Sequence, residues 1–348
     1  MEFFGSKSYS RKFKLKQWAD DDADIAELLV DHYNVHHCNI QKSNSESNMP
    51  FLIPKTIHFI WLGSKPLPRF DFVDQYMKND DMISKNNWNE AIFSWYKHHT
   101  DWDIKVWNES DILRLYEQHE DDSTNLKEAF EESLAIQEYG LASDIARLEI
   151  LSKLGGVYVD IDYICVKSVS EIHQNVQFYC GASNTGCIEI NNGIIGSKRY
   201  HPLIMHMKQK IKDWNRNRIE ASRTARNESS CNNDMMAMIT GFLGEESTEQ
   251  CHSFAQSLNK LSPMEIISSS GPGLMTRTLF ECFRNNQFEF GNYEKERVVV
   301  LPFHYFHALP NEIKLETMEN REETPSIILD RHISDETCVV HLWGCSWQ

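Results

Sequence analysis

The sequence predicts an α/β fold built on a mainly parallel sheet, and three observations carry that expectation. Short β-branched and aromatic runs of strand length alternate with stretches of helical periodicity. One such run, from Val157 to Val159, follows a Gly-Gly pair and leads into two carboxylates. The composition is that of a packed protein: 41% hydrophobic and 11% aromatic residues, with 15 Gly and 10 Pro in 348 residues, exclude a wholly disordered, collagen-like or coiled-coil chain. Alternating strands and helices favour parallel pairing, and such sheets bind ligands at the carboxyl ends of their strands.

Taken in order, residues 1–50 are polar, with an acidic run at 20–24 and then Ile25, Leu28, Leu29 and Tyr33 at helical spacing, so one amphipathic helix is expected there. The segment QKSNSESNMP at 41–50 reads as a linker, which divides the chain into a helical extension (1–50) and a main domain (51–348). That domain opens on a strand from Ile53 to Leu62, stopped at Gly63. A helix from Trp88 to His99, a strand from Asp103 to Trp107 and a helix from Asp111 to His119 capped by Ser110 follow. Helices from Leu126 to Glu138 and from Ala142 to Leu154 come next, the second closed by Gly155-Gly156 in the left-handed conformation a C-cap favours. Strands are expected at Val157 to Asp162, Val176 to Ala182, Cys187 to Gly196 and Val298 to His304, with a helical insertion over about 201–285.

A net charge of −16, from 35 Lys and Arg against 51 Asp and Glu, argues against a general nucleic-acid binder. No apolar run approaches the roughly 18–20 residues of a membrane span. The first 16 residues lack the continuous apolar segment of a secretory signal, so the expected location is cytosolic. Nine cysteines without a CxxC pair are expected to be reduced core thiols.

Chemistry concentrates at Asp160-Ile161-Asp162. Two carboxylates at the end of a buried strand need a partner, and a hard divalent cation is the economical one. Spaced i, i+2, they leave the same face of an extended segment and suit Mn²⁺ or Mg²⁺ while leaving positions for phosphate oxygens. A solvated strand end is the plainer alternative. On the preceding helix Ser143, Asp144 and Arg147 share a face, suited either to a sugar hydroxyl and a phosphate or to a local ion pair. The segment Ser270-Gly271-Pro272-Gly273-Leu274 is either a backbone loop that approaches a ligand or a turn.

The strings LASDIARLEIL at 141–151 and GGVYVDID at 155–162 resemble the DXD sugar-binding region of GT-A glycosyltransferases. The nearest likeness is to the group of Och1-type mannosyltransferases, ceramide-sugar mannosyltransferases and the glucosyltransferase domains of clostridial toxins and related bacterial effectors. IPKTIHFIWLG at 53–63, NGIIGS at 192–197 with His201-Pro202, and HLWGCSW at 341–347 resemble further blocks of that group, so the likeness covers about residues 53–347. It implies a GT-A-type, Rossmann-like fold and a metal-dependent, retaining enzyme that moves a hexose or N-acetylhexosamine from a UDP- or GDP-sugar to a hydroxyl. By the same likeness Trp61 stacks on the base, Asp144 and Arg147 bind the sugar, Asp160 contacts the ribose and the metal shell, and Asp162 chelates the metal. Ser346 and Trp347 close over the pyrophosphate, and Ser143, Tyr158, Asn192 and Gly271 complete the donor site. Where the toxins carry an acidic ligand before the Ser, position 343 is Trp here, so His341 is expected to join Asp160, Asp162 and Ser346 at the metal or else to be structural.

The expected partners are a nucleotide sugar and a protein acceptor, as for a bacterial effector, with glycan or sphingolipid acceptors as the alternative and an inactive nucleotide-sugar binder or adaptor as another class. A phosphatase of the haloacid-dehalogenase type would place its DxD near the N-terminus, and here it comes after more than 150 residues. The basic stretch 208–226 is expected to be either a solvated helix face or a contact for an anionic surface.

Overall fold

The computed structural model describes residues 27, 29–31, 33–34, 51–65, 88–119, 122–174, 176–185, 188–240, 261–284, 298–311, 313 and 331–343. Six strands form one sheet in the order β2-β1-β3-β6-β5-β7. They are β1 (Thr56–Ile60), β2 (Asp103–Trp107), β3 (Gly156–Val159), β5 (Phe178–Ala182), β6 (Ile190–Ser197) and β7 (Val298–Leu301). Three of the five pairings are parallel, and β6 runs antiparallel to both its neighbours. The expected α/β class with a mainly parallel sheet therefore holds. A small second sheet pairs β4 (Tyr163–Cys165) with β8 (Val339–His341), antiparallel.

The helices are α1 (Trp88–His98), α2 (Glu109–Glu117), α3 (Lys127–Ala135), α4 (Tyr139–Leu154), α5 (Ser170–His173), α6 (Pro202–Thr240), α7 (Pro263–Ser269), α8 (Pro272–Arg284) and α9 (Phe303–Phe306). Helix α4 is buried on nearly every side, which follows from its composition: apolar residues occupy most of YGLASDIARLEILSKL and pack against β1 and β3, α3 and α6. Among the described residues no helix is long and apolar enough to cross a membrane.

Several sequence expectations need correction. Ser110 does not cap α2; Asn108 does, accepting from Asp111 N at 3.0 Å while Asp111 reaches back to Asn108 N, because this pairing satisfies two orphan amides at once. The Gly155-Gly156 pair does take positive φ, but Gly155 sits at φ 65°, ψ −161°, outside the left-handed helical well. Close approach explains Gly156 (φ 98°): a Cβ there would lie 2.5 Å from Thr56 O. The strand expected to continue to His304 stops at Leu301, and Phe303 starts α9 after Pro302. Likewise β1 is shorter than expected at both ends, and β6 begins at Ile190.

The basic stretch is not a solvated or docking face at its start. Lys208 is wholly buried, 2.9 Å from Glu149 and 3.0 Å from Asp122. Lys210 pairs with Glu281, Arg216 with Asp213 and Arg218 with Glu132. Lys208, Lys210 and Arg218 hold α6 to neighbouring segments, whereas Arg216 pairs within α6 and is exposed, as on a solvated face; the side chains of Arg223 and Arg226 lie outside the described residues. The four described cysteines, Cys165, Cys180, Cys282 and Cys338, are free and buried, as expected of core thiols. In the N-terminal extension residues 27, 29–31 and 33–34 are helical, with Leu29 and Tyr33 buried and the Tyr33 hydroxyl 2.8 Å from that of Tyr305. The acidic run and the linker lie outside the described residues.

Candidate functional site

Strand β1 has β2 on one side and β3 on the other, both parallel to it, so the chain reverses its direction of travel across the sheet there. Such a switch point leaves a crevice beyond the carboxyl ends of the two strands. Trp61 follows β1 and Asp160 follows β3, and both line a pocket of about 360 Å³, within the ordinary range for a small-ligand site. The antiparallel β6 enters from the opposite direction and delivers its first residues, Asn191 and Asn192, to the same crevice.

Helix α4 supplies the buried charge. Arg147 Nη2 lies 2.9 Å from Asp144 Oδ1 and 3.3 Å from Asp160 Oδ1, while its Nη1 donates to Asn192 O at 2.6 Å and its Nε to Ser143 O at 3.3 Å. The guanidinium also stacks 4.4 Å above the Tyr158 ring. Asp144 Oδ1 accepts from Asn192 Nδ2 at 2.8 Å and its Oδ2 from Ser270 Oγ at 2.8 Å. With two lone pairs per oxygen, Asp144 keeps one acceptor position on Oδ2 beyond its partners among the described residues. Gly271 stands beside it: a Cβ there would be 3.4 Å from Oδ2. The segment Ser270–Gly271 is thus the loop that meets the site, ahead of α8.

The two carboxylates are not on an extended segment. Strand β3 ends at Val159, and Asp160, Ile161 and Asp162 form a turn in which Tyr163 N returns to Asp160 O at 3.3 Å. The turn carries the chain from the large sheet into β4, and that is what brings both carboxylates to one pocket. Burial and the charge of Asp162 push the Asp160 carboxyl up to about 6, against the pull of Arg147 and of the Tyr158 hydroxyl, which donates to Asp160 Oδ1 at 2.5 Å. The β4–β8 pairing sets His341 opposite Tyr163, with rings stacked at 4.2 Å, and places His341 Nε2 3.2 Å from Asp162 Oδ2.

The structure thus brings together Trp61, Ser143, Asp144, Arg147, Tyr158, Asp160, Asp162, Asn192, Gly271 and His341 around one pocket. Trp61 Nε1 donates to Lys65 O at 3.0 Å. Ser346 and Trp347 lie outside the described residues. Sequence reasoning missed Glu189, Asn191, Thr185 and Asn311, which also line the pocket. Only the neighbouring Asn192-Gly193 carried a signal; the others depend on pairings distant in sequence.

Asp160 and Asp162 fit a hard divalent cation. Asp162 is buried and Asp160 half-buried beside it, the charge of Asp162 raises the cost of ionising Asp160, and Asp160 Oδ2 lies over Gly193, 2.8 Å from where a Cβ would sit. His341 Nδ1 and Asn311 Oδ1, on two other lining residues, are buried without a hydrogen-bond partner among the described residues. Among the described residues no set of three His, Cys, Asp or Glu is arranged to hold a metal, so such an ion would take further ligands from its substrate or water.

Residues 85–179, which contain Asp144, Arg147, Asp160 and Asp162, match the family described as glycosyltransferase sugar-binding region containing DXD motif. Over 131 residues, 35% of the chain, the sequence is 28% identical to a protein of Photorhabdus asymbiotica named Toxin, and the match spans 4% of that relative's length. Among solved structures the chain is similar to the PaToxG glycosyltransferase (17% identity, 76% of this chain and 84% of that one, TM-score 0.38). It is also similar to the UDP-bound glycosyltransferase domain of the YGT toxin (12%, 73% and 80%, TM-score 0.40). A third is the catalytic domain of alpha-toxin from Clostridium novyi (13%, 79% and 80%, TM-score 0.35).

Proposed function

We propose that this glycosyltransferase moves a hexose or N-acetylhexosamine from a UDP- or GDP-sugar to a hydroxyl of an acceptor protein, with retention of anomeric configuration. The observation that carries the reading is Arg147, buried yet lining the pocket, and bonded at once to Asp144, Asp160 and the Asn192 carbonyl. A guanidinium held this rigidly offers a fixed positive charge beside the DXD carboxylates, where a diphosphate would lie.

Asp144 receives the sugar: its Arg147, Asn192 and Ser270 partners orient it and leave one acceptor position for a sugar hydroxyl. Trp61, at the end of β1, offers an aromatic face for the base, and Ser143, Tyr158 and Gly271 line the remaining wall. Asp160 and Asp162 would hold Mn²⁺ or Mg²⁺, with His341 set against Asp162. When bound, the ion offsets charge that develops on the diphosphate leaving group. The protein carries −16 overall, so it needs Arg147 and this cation to admit a doubly anionic donor. Ser346 and Trp347, from the C-terminal block, are assigned to the pyrophosphate on the family likeness alone.

The likeness of one segment to a Photorhabdus toxin supports a protein acceptor and an effector-type role. The test is incubation of the purified protein with labelled nucleotide sugars, Mn²⁺ and a cell lysate. Label in protein that disappears with D162N supports the reading. Label confined to lipid or free glycan overturns the acceptor, and absence of both donor hydrolysis and transfer overturns the activity.

A further inference from the structure

On the wall of the pocket formed by the start of β6 stands a carboxylate that the proposed reaction does not use. Glu189 lines the pocket, and Ser183 stands opposite it just beyond the β5–β6 pairing, its backbone N donating to Glu189 O at 2.9 Å. Ser183 is itself wholly buried, and its orientation is dictated from behind. Asn191 Nδ2 donates to Ser183 Oγ at 3.2 Å, so the one hydroxyl proton of Ser183 is free to point at Glu189. Asn191 is fixed in turn, because its Oδ1 accepts from Gly193 N at 2.7 Å and from the Tyr163 hydroxyl at 3.1 Å, which rules out a flipped amide. The direction of donation therefore runs Tyr163, Asn191, Ser183, and it leaves the Ser183 proton for the acceptor-only group opposite it on the pocket wall, Glu189.

Strand alternation gives the two asparagines different tasks. Asn192, one residue on, turns to Asp144, whereas Asn191 turns to Ser183 and Tyr163. The segment from Glu189 to Asn192 thus ties two separate carboxylates, Asp144 and Glu189, to one pocket.

We propose that Glu189 is a specificity-determining residue that accepts a hydrogen bond from a hydroxyl of the transferred sugar, with Ser183 as the residue that positions it. This rests on the reading of the pocket as a nucleotide-sugar site. A carboxylate placed to receive a hydroxyl discriminates against a sugar that presents none at that point, because the acceptor positions that Ser183 does not fill then lose that bond.

The test is calorimetric titration, in Mn²⁺, of UDP, GDP, UDP-glucose, UDP-galactose and UDP-N-acetylglucosamine into the unmutated protein, E189Q and S183A, with thermal midpoints recorded for each. The expected result is that one sugar donor binds the unmutated protein more tightly than its free nucleotide. E189Q then removes about tenfold or more of that advantage while the affinity for the nucleotide stays within about twofold. S183A loses part of it in the same direction. The proposal is overturned if E189Q preserves the ratio of sugar to nucleotide affinity, if it weakens both equally, or if no sugar binds better than its nucleotide. Failure of the unmutated protein to bind any nucleotide overturns the nucleotide-sugar reading itself, and the proposal with it.

Discussion

Arg147 Nη2 sits 2.9 Å from Asp144 Oδ1, two charges one helical turn apart on α4, both buried. Removing the cation leaves Asp144 and Asp160 facing each other without compensation, which costs more than the pair contributes. R147A is expected to lose about 3–5 kcal/mol of stability and all detectable transfer. R147K keeps the charge but cannot reach Asp144, Asp160 and the Asn192 carbonyl together, so it is expected to retain most of the fold while losing about a hundredfold in kcat/KM. Chemical denaturation and donor hydrolysis separate the two effects.

Acid is expected to destabilise the protein through histidines kept neutral in the core. Burial holds His58, His99 and His173 down to about 4, from an ordinary 6.5. Each has a donor and an acceptor role: His58 bonds Gly155 O and accepts from Trp107 Nε1. His99 bonds Trp95 O and accepts from Val169 N. His173 contacts Ile53 O and the Tyr179 hydroxyl. The unfolded chain takes up these protons below about pH 6.5 and the folded chain only near 4, so stability is full above 6.5 and falls toward pH 4. The loss is at most about 3 kcal/mol for each histidine. Urea midpoints from pH 7.5 to 4.5 measure it, and H58N is expected to flatten the curve.

Lys208 and Glu149 form a wholly buried ion pair, with Asp122 and Lys153 completing the cluster between α4 and α6. K208M leaves Glu149 buried and charged, and about 3–5 kcal/mol of destabilisation is expected. The double variant K208M/E149L removes both charges and is expected to recover most of that loss, measured by denaturant unfolding.

The parts of the fold legible in the sequence are those set by local rules. The strand Asp103–Trp107 has the limits expected from the sequence, and α4 was readable from a helical apolar pattern closed by two glycines. Asp144 and Arg147 were readable because an i, i+3 spacing forces them onto one face. Asp160 and Asp162 were recognisable as a pair, yet their geometry was not, since the turn at 160–163 follows from the β4–β8 pairing across more than 170 residues. The same holds for Asn191, whose partner Tyr163 is chosen by the fold, and for Glu189, set on the pocket wall beside the β5–β6 pairing. Lys208 looked like one cation in a basic run; only the carboxylates of Asp122 and Glu149 beneath it explain its burial.

Gly156 is expected to tolerate no side chain. Its φ of 98° and a hypothetical Cβ 2.5 Å from Thr56 O and 2.8 Å from His58 Nε2 force strain on backbone and ring together. G156A should cost about 2 kcal/mol or more and lower donor affinity as β3 shifts against β1, read by thermal midpoint and titration.

The two turn carboxylates and Arg147 are proposed to form a cation-assisted nucleotide-sugar site. Thermal shift of the unmutated protein and D162N with UDP- and GDP-sugars, each with Mn²⁺ and with chelator, is the decisive measurement. One donor at a hundred times its dissociation constant should stabilise the unmutated protein by about 2.7 kcal/mol in Mn²⁺, with the effect abolished by chelator and absent in D162N. Equal stabilisation with and without the ion, or in D162N, would contradict it.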